Sequence, residues 1–192
     1  SRGLGDVYKR QINSMPIKVL LESKKINLIL SRLVCELIEN HKDFNDTVLI
    51  GLQPRGVFLF NEIIKVFENK HPDLNIKSGI LDFTFFRDDF RRSEKTLSAN
   101  SSEINFTIEN KRIVLIDDVL FTGRSIKAAM SAIDSYGRPK SIELLVLVDR
   151  RFKREIPIEA NYFGTKIDTF KGDKVKVVWD KKNINNKVFI ES

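Results

Sequence analysis

Residues 113–125 read IVLIDDVLFTGRS, and this run decides the fold class. The aliphatic stretch Ile113 to Ile116 has the length of a fully buried strand and is too short for a buried helix. Downstream, SIKAAMSAIDSYG (125–137) places Ile126, Ala129, Met130 and Ile133 at helical spacing, with Gly137 as the stop. A buried strand that turns directly into an amphipathic helix is a repeating unit of a parallel α/β sheet. Between the two stand Asp117 and Asp118. Adjacent carboxylates repel each other and gain nothing from packing, so their partner is expected outside the chain.

In a parallel α/β sheet, ligands sit beyond the carboxyl ends of the strands, which is where the two acids fall. The segment that follows, Val119, Leu120, Phe121, Thr122, Gly123, Arg124 and Ser125, enters a helix. The first turn of a helix has unpaired N–H groups and a positive dipole end, and the Thr122 and Ser125 hydroxyls add to them, so the turn suits a phosphate. Gly123 allows the backbone to approach closely. The carboxylates can accept hydrogen bonds from vicinal ribose hydroxyls, or reach a magnesium ion. Together these features describe a ribose 5-phosphate clamp. An aspartate capping a helix explains one acid but neither the second nor the hydroxyl-rich turn. Other phosphate motifs, GxxxxGK[ST] and GxGxxG, are absent.

The alternation continues outward from this unit. SKKINLILSRLVCELIENH (23–41) puts Ile26, Ile29, Leu30, Leu33, Val34, Leu37 and Ile38 on one helical face, with Ser23 as its cap. DTVLIG (46–51) reads as a buried strand, and GVFLFNEIIKVFENK (56–70) as a helix with Val57, Phe60, Ile63, Ile64 and Phe67 inward. ILDFTFF (80–86) has strand composition. The polar stretch from Arg87 to Asn110 reads as a mobile loop or hairpin, long enough to be a lid. SIELLVLVD (141–149) is another buried strand, and VKVVW (175–179) and KVFIE (187–191) are short terminal ones. Alternating strands and helices imply an α/β fold: an open, mostly parallel sheet covered on both faces.

Composition narrows the class. At 192 residues, with 42% hydrophobic and 31% charged content, the chain suits one globular domain, expected over 15–192. The polar opening at 1–14 is expected to lie outside the fold. Thirty-three Lys and Arg against 26 Asp and Glu leave +7, which suits an anionic small molecule, an RNA or an ordinary basic surface. The single cysteine, Cys35, excludes an internal disulfide, and no Cys and His spacing matches a zinc site. A cytoplasmic location is the default. No apolar run approaches the length of a membrane span.

IVLIDDVLFTGRS resembles the phosphoribosyl pyrophosphate (PRPP) signature of the type I phosphoribosyltransferase family. LIGLQPRGVFLF, LDFTFFRDDF, GRPKSIELLVLVDRR and REIPIEANYFG resemble the branch of that family that joins uracil phosphoribosyltransferase activity to attenuation of pyrimidine operons. The likeness runs from about Ile17 to Glu191. It implies an open parallel sheet with a small hood and a flexible lid, in a homodimer or higher oligomer. The implied reaction converts uracil and PRPP to UMP and pyrophosphate with Mg²⁺. By the same likeness, Asp117 and Asp118 hold the ribose hydroxyls, with a metal reached through Mg-PRPP. The loop Val119 to Ser125 holds the 5′-phosphate. Gln53, Pro54, Arg55 and Gly56 match the pyrophosphate loop, with Arg55 facing the leaving group; Pro54 stands where other members often carry Thr. Arg87 is a pyrophosphate contact, Asp88 and Asp89 are candidate metal or water ligands, and the base is read between Asp149, Arg150 and Ile158, partly by backbone. Elementary chemistry agrees: losing pyrophosphate builds positive charge on the sugar, so the site must neutralise the leaving group and exclude water.

In that branch a basic face, partly built from the first helix, binds leader mRNA. Here Ser31 and Arg32 occupy the corresponding helix segment, and Ser31 and Cys35 replace the Thr and His of better-known members. Arg150, Arg151, Lys153 and Arg154, with Lys140 near in sequence, form a basic run for RNA phosphates, pyrophosphate or water. Arg151 and Arg154 are the RNA candidates within it. Cys35 is expected to be a small packed residue, His41 and His71 to be solvated, and Trp179 to be core. Two other readings stay open. One keeps the PRPP clamp but uses a purine base; the other is an RNA-binding regulator that senses UMP with little turnover. Intact Asp117, Asp118 and Arg55 favour an enzyme.

Overall fold

A computed structural model describes residues 17–88, 101–170, 172–180 and 185–191. The opening segment 1–14, Asp89 and the central part of the expected lid lie outside the described residues. The elements are β1 (Ile17–Glu22), α1 (Ser23–His41), β2 (Thr47–Leu52), α2 (Gly56–Lys70), β3 (Lys77–Leu81), a single 3-10 turn (Thr84–Phe86), β4 (Arg112–Leu120), α3 (Arg124–Ile133), β5 (Ser141–Arg150), β6 (Tyr162–Ile167), β7 (Lys174–Val178) and β8 (Lys187–Glu191).

The chain divides into two compact units, Ser1–Ile26 with Phe170–Ser192, and Asn27–Thr169. In the first, β1, β8 and β7 form an antiparallel sheet in that order. Ser23 at the start of α1 donates its hydroxyl to the Asn186 carbonyl at 3.0 Å. In the second, five parallel strands run in the order β3-β2-β4-β5-β6.

Strand alternation covers both faces of the parallel sheet. Val48, Ile50 and Leu52 of β2 share a buried cluster with Ile113 and Leu115 of β4 and with Ile126, Ala129 and Ile133 of α3. Gly51 lies between Ile50 and Leu52, so it faces the other side. There an added Cβ would meet Phe60 of α2 at 2.7 Å. At Gly164 in β6 it would meet Ile29 of α1 at 2.8 Å.

Several expectations change in detail. β4 continues to Leu120, so Asp117 and Asp118 lie inside the strand rather than after it, with Asp117 paired beside Val146 and Leu120 beside Asp149. The segment 80–86 is a strand only as far as Leu81. Asp82 then accepts the Thr84 N–H at 2.6 Å, an aspartate turn that ends the strand and starts the 3-10 turn. Leu59, rather than Val57 or Ile64, completes the buried stripe of α2. α3 stops at Ile133, short of Gly137, and Met130 is exposed, because Ala128 and Ala132 flank the buried stripe instead.

Cys35 is exposed, not packed. His41 is buried, not solvated. Its Nδ1 lies 3.0 Å from the Thr47 hydroxyl and its Nε2 3.1 Å from the Tyr162 hydroxyl, which itself donates to Glu143 at 2.8 Å. Burial lowers its pKa, opposed by the Glu143 charge. His71 and Trp179 are half-buried. Two strands carry no sequence signal, β1 and β6. Both are edge strands with only one buried residue each, so neither shows the apolar run of the central strands.

The contact between Gly51 and Phe60 makes a prediction. Gly51→Ala should lower stability by about 1–3 kcal/mol, because α2 must shift or Phe60 leave its rotamer. Urea unfolding should show a lower midpoint at unchanged slope. An unchanged midpoint would contradict the close seating of α2 on β2.

Candidate active site

The parallel register brings the carboxyl ends of four strands together. Leu52 lies beside Leu81, Gly51 beside Ile116, and Leu120 beside Asp149. Every loop expected to carry chemistry leaves the sheet at this edge.

After β2, the Gln53 N–H donates to the Leu81 carbonyl at 2.9 Å, and the Gln53 side chain donates to the Ser101 carbonyl at 3.1 Å. The Gln53–Pro54 bond is cis. Arg55 is exposed at the start of α2; its carbonyl accepts the Phe58 N–H at 3.1 Å, but its guanidinium makes no hydrogen bond or ion pair among the described residues. Gly56 lets the first turn of α2 touch β4: an added Cβ would stand 2.4 Å from the Ile116 carbonyl oxygen and 3.0 Å from Asp117 Oδ1.

The acids are therefore held in a strand end pressed against a helix. Successive strand residues project to opposite sides, so the carboxylates do not stand parallel. Asp117 Oδ1 accepts the Asp118 N–H at 2.9 Å, and Asp118 is only 7% exposed. Burial, then the Asp118 charge, push the Asp117 carboxyl up to about 8, against the Asp118 N–H and the Arg55 charge. Burial also raises Asp118, with Arg55 the main opposing influence. The unpaired Arg55 thus supplies a positive field to both acids.

The turn from β4 into α3 has the geometry an anion needs. Gly123 has φ +88°, the left-handed region, and α3 has no side-chain cap. The Arg124 N–H lies 3.4 Å from the Thr122 hydroxyl. Ser125 is half-buried in the first turn, while Val119 is half-buried and Leu120 buried in the strand. The Arg124 guanidinium is engaged elsewhere: it pairs with Asp88 and, at 2.5 Å, with Glu155. Backbone N–H groups and hydroxyls, more than this guanidinium, are available to an anion here. Arg87 follows the 3-10 turn, half-buried, with its N–H donated to the Thr84 carbonyl at 3.3 Å.

The segment after β5 folds over the same turn. Glu155 and Ile156 both donate their N–H to the Thr122 carbonyl, at 2.9 and 3.0 Å. Arg154 donates to the Phe121 carbonyl and, at 2.5 Å, to Asp149. Asp149 and Arg150 are buried; Arg150 lies 3.7 Å over the Phe121 ring and donates to the Thr169 hydroxyl at 3.0 Å. Ile158 packs half-buried on the core cluster. Glu155 and Thr169 belong to this assembly although no sequence signal marks them. A lone acid in a basic run and a threonine after an edge strand become legible only through their partners.

The helix candidates lie elsewhere. Ser31 donates to the Asn27 carbonyl at 3.0 Å and accepts from Lys70 at 2.9 Å. Arg32 pairs with Glu36 and donates to the Phe163 and Gly164 carbonyls at 2.7 and 3.0 Å. Arg151 is exposed and pairs with Asp168. Lys140 and Lys153 are exposed.

Among the described residues no group of three His, Cys, Asp or Glu could hold a metal. Two neighbouring carboxylates fit Mg²⁺ delivered by a polyphosphate, since this ion takes one or two carboxylates and completes its shell with phosphate oxygens and water. Asp117 and Asp118 are the residues that would hold it. Among the described residues no helix is long and apolar enough to cross a membrane.

The raised carboxyl pKa values fix the sign of a pH effect. The folded state holds these protons more tightly than the unfolded chain, so the acids lower stability as pH rises from about 4 towards 8. Asp117→Asn should therefore melt above the unsubstituted protein, with the gap widening from pH 5 to pH 8. A gap that is absent or narrows with pH would contradict the burial of this carboxyl.

Comparison with known proteins places this arrangement. Residues 17–182 match the phosphoribosyl transferase domain family. The chain is 41% identical over 174 residues to the Bifunctional protein PyrR of Caldicellulosiruptor bescii, covering 91% of this chain and 94% of that protein. It is 39% identical over 173 residues to the protein of the same name from Geobacter sulfurreducens, covering 90% and 97%. The structure is similar to a hypoxanthine phosphoribosyltransferase from Staphylococcus aureus, with a TM-score of 0.62, 25% identity and 82% of each chain covered. The match over most of the chain decides the family: the chain is a phosphoribosyltransferase of the type I fold and a member of the PyrR family.

Proposed function

We propose that the chain transfers the ribose 5-phosphate of PRPP to uracil, giving UMP and pyrophosphate, and that its second activity is regulatory binding of a pyrimidine-operon leader RNA. One observation carries the enzymatic part. Asp117 and Asp118, the unpaired Arg55 and the uncapped start of α3 meet at the shared carboxyl edge of parallel strands. The choice of uracil is supported by the likeness of the segments around GLQPRG and REIPIEANYFG to the pyrimidine branch.

Each group has a task in this reading. The N–H groups of the Thr122 to Ser125 turn, with the Thr122 and Ser125 hydroxyls, hold the 5′-phosphate. Asp117 and Asp118 accept hydrogen bonds from the ribose hydroxyls and orient C1. As the bond from C1 to the pyrophosphate oxygen breaks and the bond to uracil N1 forms, the N1 proton passes to solvent or to the departing pyrophosphate. Arg55, and Arg87 on the neighbouring loop, stabilise the charge that gathers on the leaving group. Mg²⁺, when bound, neutralises pyrophosphate oxygens and favours the ionised acids. Gln53, Pro54 and Gly56 shape the leaving-group loop, Asp88 anchors the phosphate turn through Arg124, and the Asp149, Arg150 and Ile158 region bounds the base. A cytoplasmic homodimer or higher oligomer is part of this proposal.

A regulatory role is favoured by the family's bifunctional naming together with a net charge of +7. Ser31, Arg32 and Arg151 are its proposed contacts.

Turnover with PRPP, Mg²⁺ and a panel of bases should give nucleotide with uracil in preference to hypoxanthine or guanine. Asp117→Asn and Asp118→Asn should each lower kcat/KM by at least tenfold, as loss of a charged hydrogen bond of about 1.5–3 kcal/mol implies. A preference for purines would remove uracil and keep the PRPP clamp; silence with every base would remove the enzyme. Titration with leader RNA should show UMP-dependent binding that weakens as salt rises. Weak binding indifferent to RNA sequence would count against regulation.

A further inference from the structure

Arg154 stands in a basic run in which Arg151 and Lys153 face solvent and Arg150, at the end of β5, is buried. The Arg154 guanidinium turns inward. One nitrogen donates to the Phe121 carbonyl, in the phosphate turn; another donates at 2.5 Å to Asp149, at the end of β5. The Arg154 side chain is 18% exposed and that of Asp149 is 8% exposed, so the pair is largely shielded from water. A guanidinium is rigid and planar, with several donors in fixed directions, and so can bind two oxygens on separate segments at a set distance.

Further contacts fasten the same segments. The Thr122 carbonyl accepts from both Glu155 and Ile156. A Cβ on Gly123 would come within 3.1 Å of Ile156 Cβ, so the two chains pack backbone to backbone. Arg124, the first residue of α3, reaches back to Glu155 at 2.5 Å. Phosphate turn and base-side segment are thereby one mechanical body, with Arg154 the side chain that spans it.

We infer that Arg154 is a positioning residue: it sets the base-binding segment at a fixed distance from the 5′-phosphate turn, rather than serving the surface as an RNA contact. The inference rests on the proposed phosphoribosyl transfer, in which the base must meet C1 while the phosphate is held on a separate segment. A misplacement of about 1 Å between such groups is enough to lower reactivity a hundredfold. Removing the guanidinium outright would also strand a buried carboxylate, so the informative change is a conservative one.

Arg154→Lys keeps a cation beside Asp149 but cannot span both oxygens. Amide hydrogen exchange, which needs no ligand, should quicken at Glu155 and Ile156, whose N–H groups hold the Thr122 carbonyl. In turnover, kcat should fall at least tenfold, with KM for PRPP and KM for uracil each within about threefold of the unsubstituted enzyme. Unchanged exchange, or faster exchange with kcat unmoved, would overturn the inference. So would a variant with normal kinetics and weakened leader-RNA binding, since that marks Arg154 as a surface contact. The unsubstituted enzyme tests the underlying reading separately: if it turns over a purine instead of uracil, that base replaces uracil in the same comparison and the positioning role is judged on it. If it binds no PRPP by calorimetry, the proposed reaction and this role both fall.

Discussion

Two adjacent carboxyl groups held in the desolvated end of a central strand are the constraint on which the rest of this protein depends. Asp117 and Asp118 continue the hydrogen-bonded run of β4, with Ile116 before them and Gly56 of α2 pressed against them. A carboxylate in such a place loses hydration and repels its neighbour, and the chain contributes only a partial answer in the Asp118 N–H and the field of Arg55. The folded protein therefore keeps an electrostatic demand that a polyhydroxyl ligand with a cation can meet. Stability is given up at the point where binding needs it.

Around that point, side-chain contacts tie the loops to each other and to the end of β5. Arg124 joins the phosphate turn to Asp88 and Glu155, Arg154 joins it to Asp149, and Arg150 lies over Phe121 while holding Thr169. The cationic side chains of this edge mostly have acidic or carbonyl partners within the protein. Arg55 differs in having none among the described residues, and it is the guanidinium nearest in role to an incoming anion.

At the amino edge of the sheet, the polar cluster of His41, Thr47, Tyr162 and Glu143 does the opposite work. Its hydrogen bonds close on one another and link the end of α1 to β2, β5 and β6. A histidine at a helix end reads as solvated until the strands that cover it are known. Its burial shows the same sheet arranged for binding at one edge and for closure at the other.

Periodicity alone determined the βα alternation, the two long helices to within the residue and the four-residue heart of β4, because buried strands and amphipathic helices write their burial directly into residue spacing. Residue chemistry also marked Asp117, Asp118 and the hydroxyl-rich turn, since acids after an apolar run have no packing explanation, while Arg55 followed from the resemblance of GLQPRG to the family's loop. Tertiary structure decided what depends on partners far along the chain. The edge strands β1 and β6 are paired into sheets without an apolar run of their own. Met130 is exposed because two alanines fit the sheet more closely. Arg154 faces inward, unlike the exposed Arg151 and Lys153, because Asp149 and the Phe121 carbonyl stand within its reach, a fact of folded distance that no local pattern encodes.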